Sequence, residues 1–119
     1  MAGHDDLKEW LSRYREIKIT VTGRKSGRKI SIPVWFVYEE GKLYLVPVQG
    51  SETQWFKNVE KTPTMKIEAR DAEGEFRVSA IRDKKRVAEV VEKFREKYGP
   101  GDVKKYYSEF DVAVVIEVK

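Results

Sequence analysis

Two runs of alternating residues flank one dense cluster of positive charge, and no other stretch constrains this chain as tightly. Ile17, Ile19 and Val21 alternate with polar residues, and Ile30, Ile32, Val34 and Phe36 then do the same. A period of two is the pattern of a half-buried strand. The link between the runs contains Gly23 and Gly27, so the pair reads as a β-hairpin. Its tip carries Arg24, Lys25, Arg28 and Lys29 around Ser26. Four cations at one tip repel one another, so stability alone does not account for them. A bound anion would remove the conflict. The glycines let backbone N–H groups turn toward it, and a serine hydroxyl with arginine forks suits a phosphate. A solvated basic turn has the same sequence, and the loop alone leaves both readings open.

At 119 residues, the chain reads as one domain, 1–119, with a core of modest size. The net charge is +4 with 37% charged residues, so both signs are heavily used. That balance argues against a dedicated nucleic-acid coat, although a small basic β-barrel could still touch nucleic acid through its tip. With no cysteine, disulfides, thiolate nucleophiles and cysteine metal sites are excluded. No apolar run approaches the ~20 residues of a membrane span. No leader is recognisable at the start, so the expectation is a cytoplasmic protein. One asparagine and two glutamines stand beside abundant Lys, Glu and Arg, which is the bias of heat-adapted proteins.

Residues 1–4 are expected to fray. Asp5 or Asp6 caps a short helix carrying Leu7, Trp10, Leu11 and Tyr14. The first strand covers 17–22, the second 29–39 and the third 42–48, with Glu40-Gly41 as a tight turn. The second strand is apolar on both faces over 33–38, which predicts cover on both. Thr53 caps a helix ended by Thr62-Pro63. A fourth strand over 64–70 turns through 71–74 into a fifth over 75–82. Asp83 caps a helix whose Val87, Val90, Val91, Phe94 and Tyr98 share one face. Gly99-Pro100-Gly101 stops it. A short helix over 103–110 leads to a last strand over 112–118. Six strands with flanking helices predict an antiparallel α+β barrel, half-open, with edges covered by a second subunit.

The chemistry is narrowed by elimination. His4 is the only histidine, which argues against a histidine triad and a zinc site. The acids are scattered and show no paired-carboxylate pattern. An enzyme of this composition leaves its hard chemistry to a cofactor. If Glu40-Gly41 is a two-residue turn, Pro33 faces Val48 and Val34 faces Pro47. Two prolines at one level interrupt the ladder and free neighbouring groups for a ligand. Trp35 and Trp55 then offer flat walls, though edge prolines and core tryptophans give the same pattern. Asn58 stands out in a chain that otherwise avoids asparagine, and capping or a turn contact would also explain it.

Together, Thr20-Val-Thr-Gly-Arg-Lys-Ser-Gly-Arg, Ser31-Ile-Pro-Val, Gly41-Lys-Leu-Tyr-Leu-Val and Trp55-Phe-Lys-Asn-Val-Glu-Lys-Thr-Pro resemble the flavin/deazaflavin split β-barrel proteins. The nearest branch is the deazaflavin-dependent nitroreductases, within the pyridoxamine phosphate oxidase-like superfamily. The resemblance spans about residues 17–82. It implies a six-stranded antiparallel split β-barrel with flanking helices, of the FMN-binding type. Arg24, Lys25, Ser26 and Gly27 would then hold the cofactor phosphate. Ser31, Ile32, Pro33, Val34, Pro47, Val48, Gln49 and Gly50 would line the ring, and Trp55 and Asn58 would fix the adjoining loop.

The family also implies a homodimer and hydride transfer to a small electron-poor acceptor, such as a quinone or nitro compound. Tyr106 and Tyr107 are candidates to approach that substrate, with helix packing the alternative. This chain departs from the pattern at three points. Ile30 stands where an arginine is usual, the loop over 49–54 lacks a Lys-x-Pro, and one glycine, Gly50, replaces two. These departures favour FMN over the long-tailed deazaflavin coenzyme. A non-catalytic flavin store is the alternative function. Haem binding, also known in the wider superfamily, fits poorly with His4 as the only histidine.

Overall fold

The structure is a computed structural model that describes residues 9–11, 13–70 and 72–118. The expected caps Asp5 and Asp6 lie outside them, as does His4. Among the described residues, the chain forms eight strands in two four-stranded sheets. The first sheet contains β1 (Ile17–Thr22), β2 (Lys29–Val34), β5 (Thr64–Ala69) and β6 (Ala72–Arg77), in the order β2-β1-β5-β6. The second contains β3 (Val37–Glu39), β4 (Lys42–Leu45), β7 (Ser79–Ile81) and β8 (Ala113–Glu117), in the order β3-β4-β8-β7. All strand pairs are antiparallel. The helices are α1 (Gln54–Lys61), α2 (Lys84–Tyr98) and α3 (Pro100–Tyr106).

The α+β antiparallel class holds, but six strands is corrected to eight. The second predicted strand breaks at Trp35-Phe36 and continues in the other sheet as β3. The fifth breaks at Val78 and continues as β7. At each break a backbone group leaves the ladder. Phe36 N–H donates to the Tyr98 hydroxyl at 3.0 Å, and Val78 N–H donates to the Pro63 carbonyl at 2.9 Å. Strands that bend and change sheet make the corners of a two-sheet barrel.

The break also corrects the ladder expected for the prolines. Glu39 faces Lys42 as expected, across a turn whose Glu40 and Gly41 have φ of 51° and 78°. Pro33, however, belongs to the first sheet and pairs with Lys18, while Val34 pairs with Ile17. The turn after β5 is also tighter than predicted. Ala69 pairs directly with Ala72, and Gly74 lies in β6 opposite Ile67.

The sheets enclose one core and the helices cover a second. Ile19, Val21, Leu43, Leu45, Ile67, Val114 and Ile116 fill the space between the sheets, joined by Phe56 and Trp55 of α1. Outside the second sheet, Val37, Ile81 and Ala113 meet Val87, Val90, Val91, Phe94 and Tyr98 of α2. The apolar run over 33–38 is thereby explained in part, because Phe36 enters the first core and Val37 the second. Asp83 caps α2 as predicted, accepting from Arg86 N–H at 3.0 Å. The next helix begins at Pro100 rather than 103, since proline suits the first helical position and Gly99, at φ 97°, makes the bend.

Candidate functional site

The basic tip is a built loop. Gly23 N–H donates to the Arg28 carbonyl at 2.8 Å and Gly27 N–H to the Gly23 carbonyl at 2.9 Å. Arg28 N–H donates to Ser26 Oγ at 3.2 Å. Gly27 has φ 73°, a conformation glycine adopts without strain. Among the described residues, the N–H groups of Lys25 and Ser26 have no partner, and the Lys25 and Arg28 side chains form no ion pair.

Arg24 is different, because it is tied inward. Its N–H and Nη1 both donate to Asn58 Oδ1, at 3.1 and 2.8 Å. Its Nη2 donates to Gln54 Oε1 at 2.8 Å, and Lys61 Nζ donates to its carbonyl at 2.8 Å. Asn58 is 4% exposed, the buried polar residue of the described core. The unusual asparagine therefore locks the basic hairpin onto α1.

Near the start of α1, Trp55 joins a cleft of about 460 Å³. Its walls are Ile32, Pro33, Val34 and Trp35 from the end of β2, Val46 and Val48 after β4, and Tyr106 and Tyr107 from the end of α3. Thr53 and Glu16 complete it. Trp35 lies flat on Tyr98, with centroids 4.3 Å apart and planes 5° apart. Tyr106 meets Trp35 at 71° and 5.0 Å. Burial pushes the Tyr107 phenol well above its ordinary range, with Tyr98 nearby adding to the shift. It therefore stays protonated and can donate.

The residues expected around a cofactor divide among several places. Ile32, Pro33, Val34, Val48 and Trp55 share the cleft. Arg24, Lys25, Ser26 and Gly27 form the basic tip. Ser31 Oγ lies 2.9 Å from Thr20 Oγ1, beside a separate depression on the first sheet with Lys18, Lys29 and Lys66. Pro47 is buried, and its carbonyl accepts from Gly50 N–H at 3.1 Å. Gln49 N–H donates to Thr53 Oγ1 at 2.8 Å.

Gly50 is held by a residue that sequence reasoning missed. Ser51 N–H and Oγ donate to the Asp111 carboxylate at 2.9 and 2.6 Å. These bonds hold the Asp111 carboxyl below its usual range. A Cβ on Gly50 would come within 2.0 Å of Asp111 Oδ1, and Gly50 has φ +57°. Ser108 N–H donates to the Val48 carbonyl at 2.9 Å. The loop over 49–52 thus hangs on the segment over 108–111, a link with no local signal. Glu16 was missed too, as one of many acids.

A hydrogen-bonded frame surrounds the strand break. Lys97 Nζ donates to the Phe36 carbonyl at 2.7 Å and to the Tyr14 carbonyl at 3.2 Å. It stands 3.7 Å from the Phe36 ring centroid. Burial, and then the charge of Arg15, lower its pKa from 10.5 to about 8. The Tyr98 hydroxyl lies 2.6 Å from the Arg15 carbonyl and 2.8 Å from that of Phe36. Both carbonyls lie within reach of the single Tyr98 proton. No group of His, Asp or Glu suited to a metal ion occurs among the described residues, and none of their helices is long and apolar enough to cross a membrane.

The fold is shared with solved structures of known description. An F420-H2 dependent reductase, FDR-A, is 23% identical with a TM-score of 0.68, over 87% of this chain and 94% of that one. A structure described as a domain-swapped dimer has the same identity and score, covering 87% and 80%. The heme storage protein HutZ from Vibrio cholerae is 15% identical with a TM-score of 0.71, covering 100% and 92%. At these identities the likeness shows a common fold. No curated protein matches the sequence. The family model described as an uncharacterized protein conserved in bacteria (DUF2255) matches residues 7–117, and the chain belongs to that family.

Proposed function

We propose that this chain is a homodimeric flavin- or deazaflavin-dependent oxidoreductase, reducing a small electron-poor acceptor of the quinone or nitro-compound class. One observation carries the reading: β2 runs from the basic tip to the apolar cleft, and α1 packs against both. β2 starts at Lys29 beside the tip and reaches the cleft at Ile32, about 10 Å along a strand. α1 holds the tip through Asn58 and enters the cleft through Trp55. A molecule with a flat apolar ring at one end and a phosphate at the other matches that layout.

The residues fit such a group. Lys25, Arg28 and the free N–H groups of Lys25 and Ser26 would hold the phosphate, with Arg24 fixing the loop. Pro33, Val34, Val46 and Val48 would exclude water from the ring, and the protonated Tyr107 would donate to a ring or acceptor oxygen. A flavin-type group supplies hydride transfer when bound. The solved FDR-A neighbour supports the deazaflavin, whereas the charges here support FMN. Ile30 offers no cation, and Lys57 is paired with Glu52 at 3.5 Å, which leaves little to hold a long anionic tail. FMN is the primary reading.

Dimerisation is supported by exposed apolar surface on and beside the open edge β2, where Ile30 is 39% and Val48 45% exposed. The domain-swapped dimer among the structural neighbours agrees with it. A flavin store without turnover is the second reading, favoured by the lack of a histidine or lysine proton donor in the cleft. A haem reading, prompted by HutZ, would have His4 as its only histidine ligand.

The test is side-by-side titration of FMN and the deazaflavin coenzyme at moderate salt. Lys25→Ala and Arg28→Ala should each weaken binding by about 1.5–3 kcal/mol. Binding of neither cofactor, or unchanged affinity in both variants, overturns the proposal. Turnover of the reduced cofactor with quinone and nitro acceptors separates reductase from store.

A further inference from the structure

The charge in the cleft is one-sided. Of the residues that line it, Glu16 is the only one with a formal charge. It makes no ion pair among the described residues. Its position follows from register: Ile17 pairs with Val34, so Glu16 stands one step beyond, at the level of Trp35.

The aromatic residues beside it form a corner. Trp35 has one neighbour stacked flat against it, Tyr98, and Tyr106 crosses it at 71°. Tyr106 is 54% exposed, so much of it is open to a ligand. Lys105 Nζ already stands 5.8 Å from the Tyr106 centroid, and Arg15 lies 4.9 Å from that of Tyr98. Ring faces here attract cations, as the negative face of an aromatic quadrupole does. Aromatic rings with an adjacent unpaired carboxylate form the arrangement that recognises organic cations, since such cations are weakly hydrated and cannot be held by hydrogen bonds alone.

We propose that the mouth of this cleft selects organic cations, with Trp35 and Tyr106 as aromatic walls and Glu16 as the counter-charge, and that an N-alkylated aromatic ring is the preferred class. Binding of the cation stands apart from the cofactor, while its role as acceptor rests on the oxidoreductase reading above.

Chemistry links the two. A reduced flavin-type cofactor, when bound, would give up hydride to a ring carbon of such a cation, its hydride-bearing bond breaking as it is oxidised by two electrons. A C–H bond forms, a π-electron pair returns to nitrogen as its lone pair, and the product is neutral. The acceptor needs no proton from the protein, which suits a cleft without a histidine or lysine. The neutral product then loses its attraction to Glu16 and leaves more readily than the substrate entered.

The experiment uses the full chain without added cofactor, at low ionic strength and neutral pH, followed by tryptophan fluorescence and calorimetry. Three probes share one flat ring: N-methylquinolinium, quinoline and quinoline-2-carboxylate, with charges of plus one, zero and minus one. The expected order of affinity is cation, neutral, anion, with at least a fivefold gap between the first two. Glu16→Gln should close most of that gap and leave quinoline unchanged. Tyr106→Leu should weaken the cation more than quinoline. Glu16 is exposed, so its variant is expected to fold, and circular dichroism checks this. Equal affinities for the three probes, or a cation affinity unmoved by Glu16→Gln, overturn the proposal. An FMN titration of the same samples keeps the readings apart. Cation binding without FMN binding defeats only the cofactor proposal, and FMN binding without cation preference defeats only this one.

Discussion

Asn58 Oδ1 receives both the backbone N–H and the guanidinium Nη1 of Arg24, at 3.1 and 2.8 Å, so one buried amide oxygen holds both ends of one arginine. Replacing it with Asn58→Leu leaves two donors without an acceptor. We expect a loss of about 2–3 kcal/mol, the cost of unsatisfied and partly charged groups. Arg24→Ala should cost about 1–2 kcal/mol, because the backbone bond survives. Lys25→Ala and Arg28→Ala, by contrast, should change stability by less than about 0.5 kcal/mol. Urea denaturation of the four variants decides the matter. Equal stability of all four would mean that Arg24 is as free as its neighbours.

Gly50→Ala meets two obstacles at once. The left-handed backbone costs about 1–2 kcal/mol for a residue with a Cβ, and Asp111 must move away. Thermal unfolding should show a loss above about 2 kcal/mol. A loss of under about 1 kcal/mol, below the backbone penalty alone, would mean that the loop over 49–52 relaxes freely.

The Asp111 contact also predicts acid sensitivity. Its folded pKa lies below the unfolded value of 3.8, through the Ser51 bonds. The stabilisation is therefore complete above that value and is lost as pH falls through the folded pKa. Asp111→Asn should lie below wild type in stability at neutral pH and converge with it in strong acid. A constant difference across the range would show that the charge on Asp111 does not matter.

Glu40 offers a gain. It is a non-glycine residue at φ 51° in a two-residue turn, where asparagine before glycine is preferred. Glu40→Asn should stabilise by about 0.5–1 kcal/mol, a fraction of the left-handed penalty. No change in the unfolding midpoint would count against strain at this turn.

Lys97 should tilt the alkaline side of the stability curve. Its folded pKa is about 8 against 10.5 unfolded. Between those values the unfolded chain binds more protons, so stability rises with pH. Solvent reaches the side chain, which reduces the rise to about 1–2 kcal/mol. Tyr98, raised from 10.0 to about 12, acts the other way above pH 10, so the window to measure is 8 to 10. Denaturation of wild type and Lys97→Met across it should give a slope in the first that is absent in the second. Parallel slopes would assign the effect to other groups.

Much of the first sheet was legible because alternation and glycine positions are local. The β1–β2 hairpin, the Glu39–Lys42 pairing and the Asp83 cap follow from neighbours in sequence. The break at Trp35-Phe36 was not legible, because the apolar run continues through it without a proline or glycine. What ends the strand is Tyr98, 62 residues away. A separation of 60 residues likewise hides Asp111 from Ser51. Asn58 was visible as an oddity, but its bonds to Arg24, 34 residues away, were not. An arginine between glycines carries no mark of which way it turns.

The stack of Trp35 on Tyr98 gives the molecule a brace. Tyr98 ends α2 and its hydroxyl grips the strand at Phe36, while its ring carries the tryptophan that walls the cleft. Flat contact at 4.3 Å leaves no slack. One residue of α2 therefore braces both the strand break at Phe36 and the cleft wall at Trp35.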